Sequence, residues 1–132
     1  MTNNSTLIAT NNGYSGVWTR VLNVDKTCTL DVEKNGTKAL NAATNAGIFF
    51  QGNRTYPSTI EKGANVTIKD NAGSGIYTKQ AVRNLTIGSA TITNNGAGSV
   101  NKDEIGAEKG GGVYNVGTLI LDDSVVLYNN HA

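Results

Sequence analysis

The sequence predicts an all-β fold, a right-handed single-stranded parallel β-helix (a β-solenoid) of about four coils, each built from three short strands. Three observations lead there. A glycine-aliphatic-aromatic motif recurs four times, at spacings of 31, 28 and 37 residues. Two further apolar runs follow each copy. An asparagine lies just beyond the last run of most copies. Periods of this size belong to solenoids. A single domain over residues 1–132 is the expectation, either a fragment or a stacking unit of a longer array.

Composition agrees. Hydrophobic residues are 38% and charged residues 16%, both low for a globular domain, and the balance is Gly (16 residues) with many Asn and Thr. Thr and Val favour strands, whereas Gly and Asn tolerate the positive φ of tight turns. Regularly spaced Leu, Ile and Val argue against a disordered low-complexity chain.

The elements follow in order. Ile8, Asn11 and Gly13 read as the tail of one copy. The first full unit runs through Gly16-Val17-Trp18, Leu22-Asn23-Val24 and Cys28-Thr29-Leu30, with Glu33 at the asparagine position and Asn35-Gly36 just after. The second has Gly47-Ile48-Phe49, Thr59-Ile60 and Val66-Thr67-Ile68, then Asn71 and Gly73. The third has Gly75-Ile76-Tyr77, Leu85-Thr86-Ile87 and Ala90-Thr91-Ile92, then Asn95 and Ala97. The fourth has Gly112-Val113-Tyr114, Leu119-Ile120-Leu121 and Val125-Val126-Leu127, then Asn130 and Ala132. A polar turn is expected between the second and third runs of each unit.

Strand alternation turns Leu85 and Ile87, or Ala90 and Ile92, to one side. No unit buries that side alone; stacking in parallel, ~4.8 Å apart, does so. Each inward Leu, Ile or Val then contributes roughly 1.5–3 kcal/mol. Strand chirality favours the right-handed coil. The aligned asparagines are expected to form an amide ladder. A four-stranded meander of hairpins is the rival, but three-run units do not pair neatly into hairpins.

Residues 36–46 and 96–111 exceed what a turn needs. They are either tolerated surface loops or projections that carry binding. The chain begins and stops within the pattern, so the expectation is a piece of a longer array or a unit that stacks on copies of itself.

"GGGVYN" with "LYNNHA" is similar to the Gly-Gly-rich and Phe-x-x-Asn repeat pairs of bacterial polymorphic outer-membrane and autotransporter passenger proteins, with Leu127 in place of Phe. "ANVTIKDNAGSGIYT" and "NLTIGSATITNNGAG" resemble the pectate-lyase-like adhesive repeats of Gram-positive surface proteins. The resemblance covers roughly residues 6–132. It implies a secreted or wall-attached adhesin-type module at the extracellular cell surface. Fold analogy alone carries no chemistry.

Composition narrows the function classes. Net charge is +1 and no basic stretch exceeds two residues, so nucleic acid and anionic membranes are not expected partners. No apolar run approaches the ~20 residues of a membrane helix, and "MTNNSTLIATNN" lacks the pattern of a signal peptide. A lone Cys28 and a lone His131 predict neither an internal disulfide nor a structural zinc site, and no cofactor is expected. Cys28 reads as a buried thiol in one column with Val66, Ala90 and Val125.

The candidate ligand-binding residues are Trp18, Phe49, Tyr77 and Tyr114, stacked in one column of the first strands. With Val17, Ile48, Ile76 and Val113 inward, alternation turns the rings outward. Arg20, Gln51 and Lys79 then flank them two residues on. Flat apolar faces with polar edges suit sugar rings and peptide chains. The alternative is that the rings form the interior stack or cover a face against a loop.

Lyase or hydrolase chemistry needs a base beside a calcium cluster, or facing acids. Asp25, Glu61 and Asp122 share a turn column, but Gly88 interrupts it and Asp70, Asp123, Arg20, Arg54 and Arg83 lie elsewhere. Asp103, Glu104 and Glu108 read as solubilising loop charges. The expected function is a non-enzymatic adhesin or spacer that binds host or environmental glycan or protein through its side. A subunit stacking end to end into a filament is the alternative, and a polysaccharide-degrading enzyme the third.

Overall fold

The computed structural model describes residues 1–38, 45–52, 55–80, 82–96 and 111–131. Among them the only regular elements are strands: β1 (Thr6–Thr10), β2 (Val17–Thr19), β3 (Asn23–Val24), β4 (Thr29–Glu33), β5 (Ile48–Phe50), β6 (Ser58–Ile60), β7 (Asn65–Lys69), β8 (Ile76–Thr78), β9 (Val82–Thr93), β10 (Val113–Tyr114) and β11 (Gly117–Tyr128). The class is all-β.

Every strand pairing among the described residues is parallel. One sheet has four strands in the order β10-β8-β5-β2. The other has seven, in the order β1-β4-β7-β9-β6-β3, with β11 also on β9. Each strand pairs with its equivalent in the neighbouring repeat and not with its neighbour in sequence. The hairpin meander is thereby excluded.

The register places like on like. Val17, Ile48, Ile76 and Val113 form one column. Val24, Ile60, Ile87 and Leu121 form a second, and Val32, Ile68, Ile92 and Leu127 a third. Leu85 is 1% exposed and Ile48, Ile76, Ile87 and Ile92 are fully buried, as alternation requires. The core is therefore a stack of aliphatic columns sealed by the repeats above and below.

Just past the last strand of each repeat, Asn11, Lys34, Asp70, Asn94 and Asn129 all have φ of 51–57°. This left-handed residue turns the chain sharply, and among residues with a side chain asparagine and aspartate tolerate it best. The next residue is an asparagine in every case and forms the expected amide ladder. In the ladder the backbone N–H and Nδ2 of each rung donate to Oδ1 of the following rung. They run from Asn12 to Asn35 (3.0 and 2.8 Å), Asn35 to Asn71 (3.1 and 3.0 Å), Asn71 to Asn95 (3.2 and 2.8 Å) and Asn95 to Asn130 (3.1 and 3.0 Å). Nδ2 also donates to a strand carbonyl, such as Val32 O from Asn71 at 3.1 Å. Asn35, Asn71 and Asn95 are at most 1% exposed, so these bonds satisfy groups that water does not reach.

The ladder explains the glycine of the recurring motif. A Cβ on Gly16 would lie 2.6 Å from Asn35 Nδ2, and one on Gly47 would lie 2.6 Å from Asn71 Nδ2. Gly75 and Gly112 meet Asn95 and Asn130 in the same way. The residue that opens each repeat thus touches the one that closes it.

Several sequence expectations need correction. Asn35, not Glu33, occupies the ladder position of the first unit, and Asn12, not Asn11, is the rung before it. The cause is a two-residue offset: Thr29 pairs with Asn65, so Cys28 lies beside Ala64, and Leu30 holds the column of Val66, Ala90 and Val125. Cys28 is nonetheless buried, with Sγ 3.3 Å from Ser5 Oγ. Ala9 faces inward and Ile8 outward, 63% exposed. No polar turn separates the second and third runs of the last two repeats. The chain there stays extended through Gly88 and through a bulge at Asp122-Asp123, which makes β9 and β11 twelve residues long. A Cβ at Gly88 would collide with the Lys62 backbone.

Candidate functional site

The aromatic column lies on the face of the four-stranded sheet opposite its aliphatic column. Register sets Trp18 beside Phe49, Phe49 beside Tyr77 and Tyr77 beside Tyr114. The rings touch in sequence. Trp18 meets Phe49 edge-on at 4.6 Å between centroids, Phe49 stacks on Tyr77 at 6.0 Å, and Tyr77 meets Tyr114 at 4.9 Å with a 30° tilt. Each contact is worth about 0.5–1.5 kcal/mol beyond burial.

Their exposure differs. Trp18 is 57% exposed, Tyr77 and Tyr114 are half-buried, and Phe49 is 1% exposed. A uniformly exposed column is therefore not what forms. Phe49 presents no ring face, although it does not belong to the main core cluster. It fixes the spacing between Trp18 on one side and the tyrosines on the other. Arg20, Gln51 and Lys79 are exposed along the same edge. Tyr14 (61% exposed) and Tyr56 (64%) are further exposed rings that strand reasoning passed over, because both lie in turns.

The charged groups form separate pairs. Lys69 Nζ lies 3.0 Å from Glu33 Oε2, and this hydrogen bond raises the lysine pKa. Thr27 donates its backbone N–H and its hydroxyl to Asp25 Oδ1, both at 2.7 Å, and lowers that carboxyl. Glu61 Oε2 accepts from the Lys26 backbone N–H at 3.0 Å, bridging the turn column expected for Asp25 and Glu61.

One convergence was not foreseen. Because Gly88 has no side chain, Lys62 reaches across it to Asp122 Oδ1 (2.9 Å) and Asp123 Oδ1 (2.7 Å). Asp123 thus does not lie elsewhere but joins Asp122. The hydrogen bond from Asp123 and the Lys62 ammonium bring Asp122 down to about 2, while the two acids raise Lys62 above its ordinary value. All three groups are solvated, so the cluster adds little stability.

No group of three or more His, Cys, Asp or Glu residues placed to hold a metal occurs among the described residues. Among the described residues no helix is long and apolar enough to cross a membrane. Arg54, Asp103, Glu104, Glu108 and most of the 96–111 segment lie outside the described residues, as do residues 39–44. Comparison with known proteins found no matching family model, no similar curated protein and no similar solved structure.

Proposed function

We propose that this chain is a right-handed parallel β-helix that serves as a non-enzymatic module of a bacterial cell surface, an adhesin or spacer binding glycan or protein along its side. The coil is supported by the parallel pairing of each strand with its counterpart one repeat away, and by the contact of Gly16 with Asn35 and Gly47 with Asn71, which brings each repeat back to its start. A right-handed coil is the hand that parallel strand crossovers favour in general.

The observation that carries the binding reading is the continuous ring contact from Trp18 to Tyr114, with exposed cationic side chains beside it. Trp18 with Arg20 forms one contact area, and Tyr77 and Tyr114 with Lys79 form another. Phe49 is the buried link. An apolar plate bordered by hydrogen-bond donors suits the face of a sugar ring or an extended peptide. Asp122 and Asp123 already share Lys62, which favours binding over hydrolytic chemistry.

A glycan array and a mucin pull-down, run with the parent chain and with Trp18→Ala and Tyr77→Ala, test the site. Loss of binding with an unchanged circular dichroism spectrum is the expected result. Binding that survives both substitutions removes the site. Product release from pectin with calcium present would overturn the non-enzymatic reading.

A further inference from the structure

The segments that build the aromatic face carry no negative charge. Residues 14–20, 45–52, 74–80 and 111–116 contain Arg20 and Lys79 but no Asp or Glu. Every described Asp and Glu lies within 25–33, 61–70 or 122–123, before, along or just after the third apolar run of a repeat. The cations divide in the same way. Lys62 and Lys69 sit among those carboxylates and pair with Asp122, Asp123 and Glu33. Arg20 and Lys79 are exposed and have no ion-pair partner among the described residues. The register continues past the strands, with Gln51 N–H donating to Thr19 O and Lys79 N–H to Phe50 O, so Arg20, Gln51 and Lys79 stand in successive repeats. At ~4.8 Å per strand, the Arg20 and Lys79 positions are about 10 Å apart along the stack.

The rings add to this field. Tyr77 and Tyr114 have centroids 4.9 Å apart at 30°, and Phe49 stacks on Tyr77 at 20°. Rings as close as the two tyrosines cannot lie side by side in one plane. They lie over one another, faces toward each other along the column. What the tyrosines show a ligand is their edges, the positive part of the ring quadrupole. Trp18 is turned 75° from Phe49 and is 57% exposed, so among the described residues of the column no parallel ring covers its faces.

Positive ring edges, two unpaired cations and a lack of carboxylates all select an anion. The strand pairing narrows its kind. β5 and β8 are paired on both edges, so a peptide cannot add to them as a strand and would forgo its main-chain hydrogen bonds. A sugar chain needs none of these. Its ring lies on Trp18, its hydroxyls meet Gln51, and its acidic groups meet Arg20 and Lys79. We infer that the side site takes an acidic polysaccharide, a glycan bearing carboxylate or sulfate groups, laid along the column. This names the ligand class of the side site proposed above and rests on that reading.

Biolayer interferometry of the intact chain on five immobilised probes tests it. Hyaluronan and dextran sulfate are the anionic glycans, carboxyl-reduced hyaluronan and dextran their neutral counterparts, and poly-glutamate the acidic peptide. Binding is expected to one or both anionic glycans and not to the neutral pair; hyaluronan alone assigns a carboxylate, and dextran sulfate alone a sulfate. Near 1 M salt, where screening acts over about 3 Å, affinity should fall about tenfold or more. Arg20→Gln and Lys79→Gln should each weaken binding about two- to fivefold, and the double reversal Arg20→Glu with Lys79→Glu by more than about tenfold, with unchanged circular dichroism spectra. Lys62→Gln, among the carboxylates, should change nothing. The inference is overturned by no binding to either anionic glycan, by equal binding to the neutral pair, by tighter binding to poly-glutamate, or by a Lys62→Gln effect as large as that of Arg20→Gln. A neutral glycan whose binding is lost in Trp18→Ala would remove the anionic class and leave the side site standing. Binding indifferent to both Trp18→Ala and Tyr77→Ala would remove the site itself.

Discussion

Replacing Asn71 by alanine should destabilise the protein severely. Its Oδ1 accepts from the Asn35 backbone N–H at 3.1 Å and from Asn35 Nδ2 at 3.0 Å, and its Nδ2 donates to Val32 O at 3.1 Å and Asn95 Oδ1 at 2.8 Å. Alanine therefore strands two donors of Asn35 and removes one bond from the Val32 carbonyl, all shielded from water, since Asn35 and Val32 are fully buried. Each buried orphan costs roughly 1–3 kcal/mol, and local relaxation recovers part, so the loss should be about 3–6 kcal/mol. A domain of this size has about 5–15 kcal/mol in all. At a urea slope of about 2 kcal/mol per molar, the midpoint falls by about 1.5–3 M. The control is Asn12→Ala. Asn12 is exposed and only donates to Asn35, so its loss should cost about 0.5–1.5 kcal/mol. Urea titrations followed by circular dichroism at 218 nm or thereabouts, in the region ~210–220 nm where β-sheet absorbs, measure both. Equal midpoints for the two variants would refute the claim that the buried ladder holds the repeats together.

Two further outcomes follow from the same geometry. Gly47→Ala should destabilise by about 1–3 kcal/mol in the same titration, because its Cβ would lie 2.6 Å from Asn71 Nδ2 and 2.8 Å from Gly75 O; a neutral result would mean that the ladder shifts freely. Asp122 is depressed from 3.8 to about 2, so the stability it adds is present above pH 3.8 and is lost as pH falls through about 2; the small midpoint difference between the parent and Asp122→Asn should vanish across that window and be absent at high salt.

Much of the fold was legible because its signal is periodic. The spacing of Gly16, Gly47, Gly75 and Gly112 is the register of Val17, Ile48, Ile76 and Val113. The first unit was misaligned because Cys28-Thr29-Leu30 and Leu30-Asp31-Val32 both alternate correctly. Only the ladder contact distinguishes them, and it depends on tertiary structure. Phe49 could not be told from Trp18 by alternation. Both point away from the core, and what separates them is what lies over the ring. Lys62 and Asp122 are 60 residues apart, and their meeting depends on a missing side chain at Gly88, which reads in sequence only as a gap.

The contact between the glycine that opens a repeat and the asparagine that closes it has a consequence for how such a chain can change. Because both partners of the fit belong to one unit, a whole unit can be duplicated or deleted without redesigning its neighbours, provided the cut falls between an asparagine turn and the next glycine. Length is then free to drift by gene duplication and loss, while single substitutions at either partner are not.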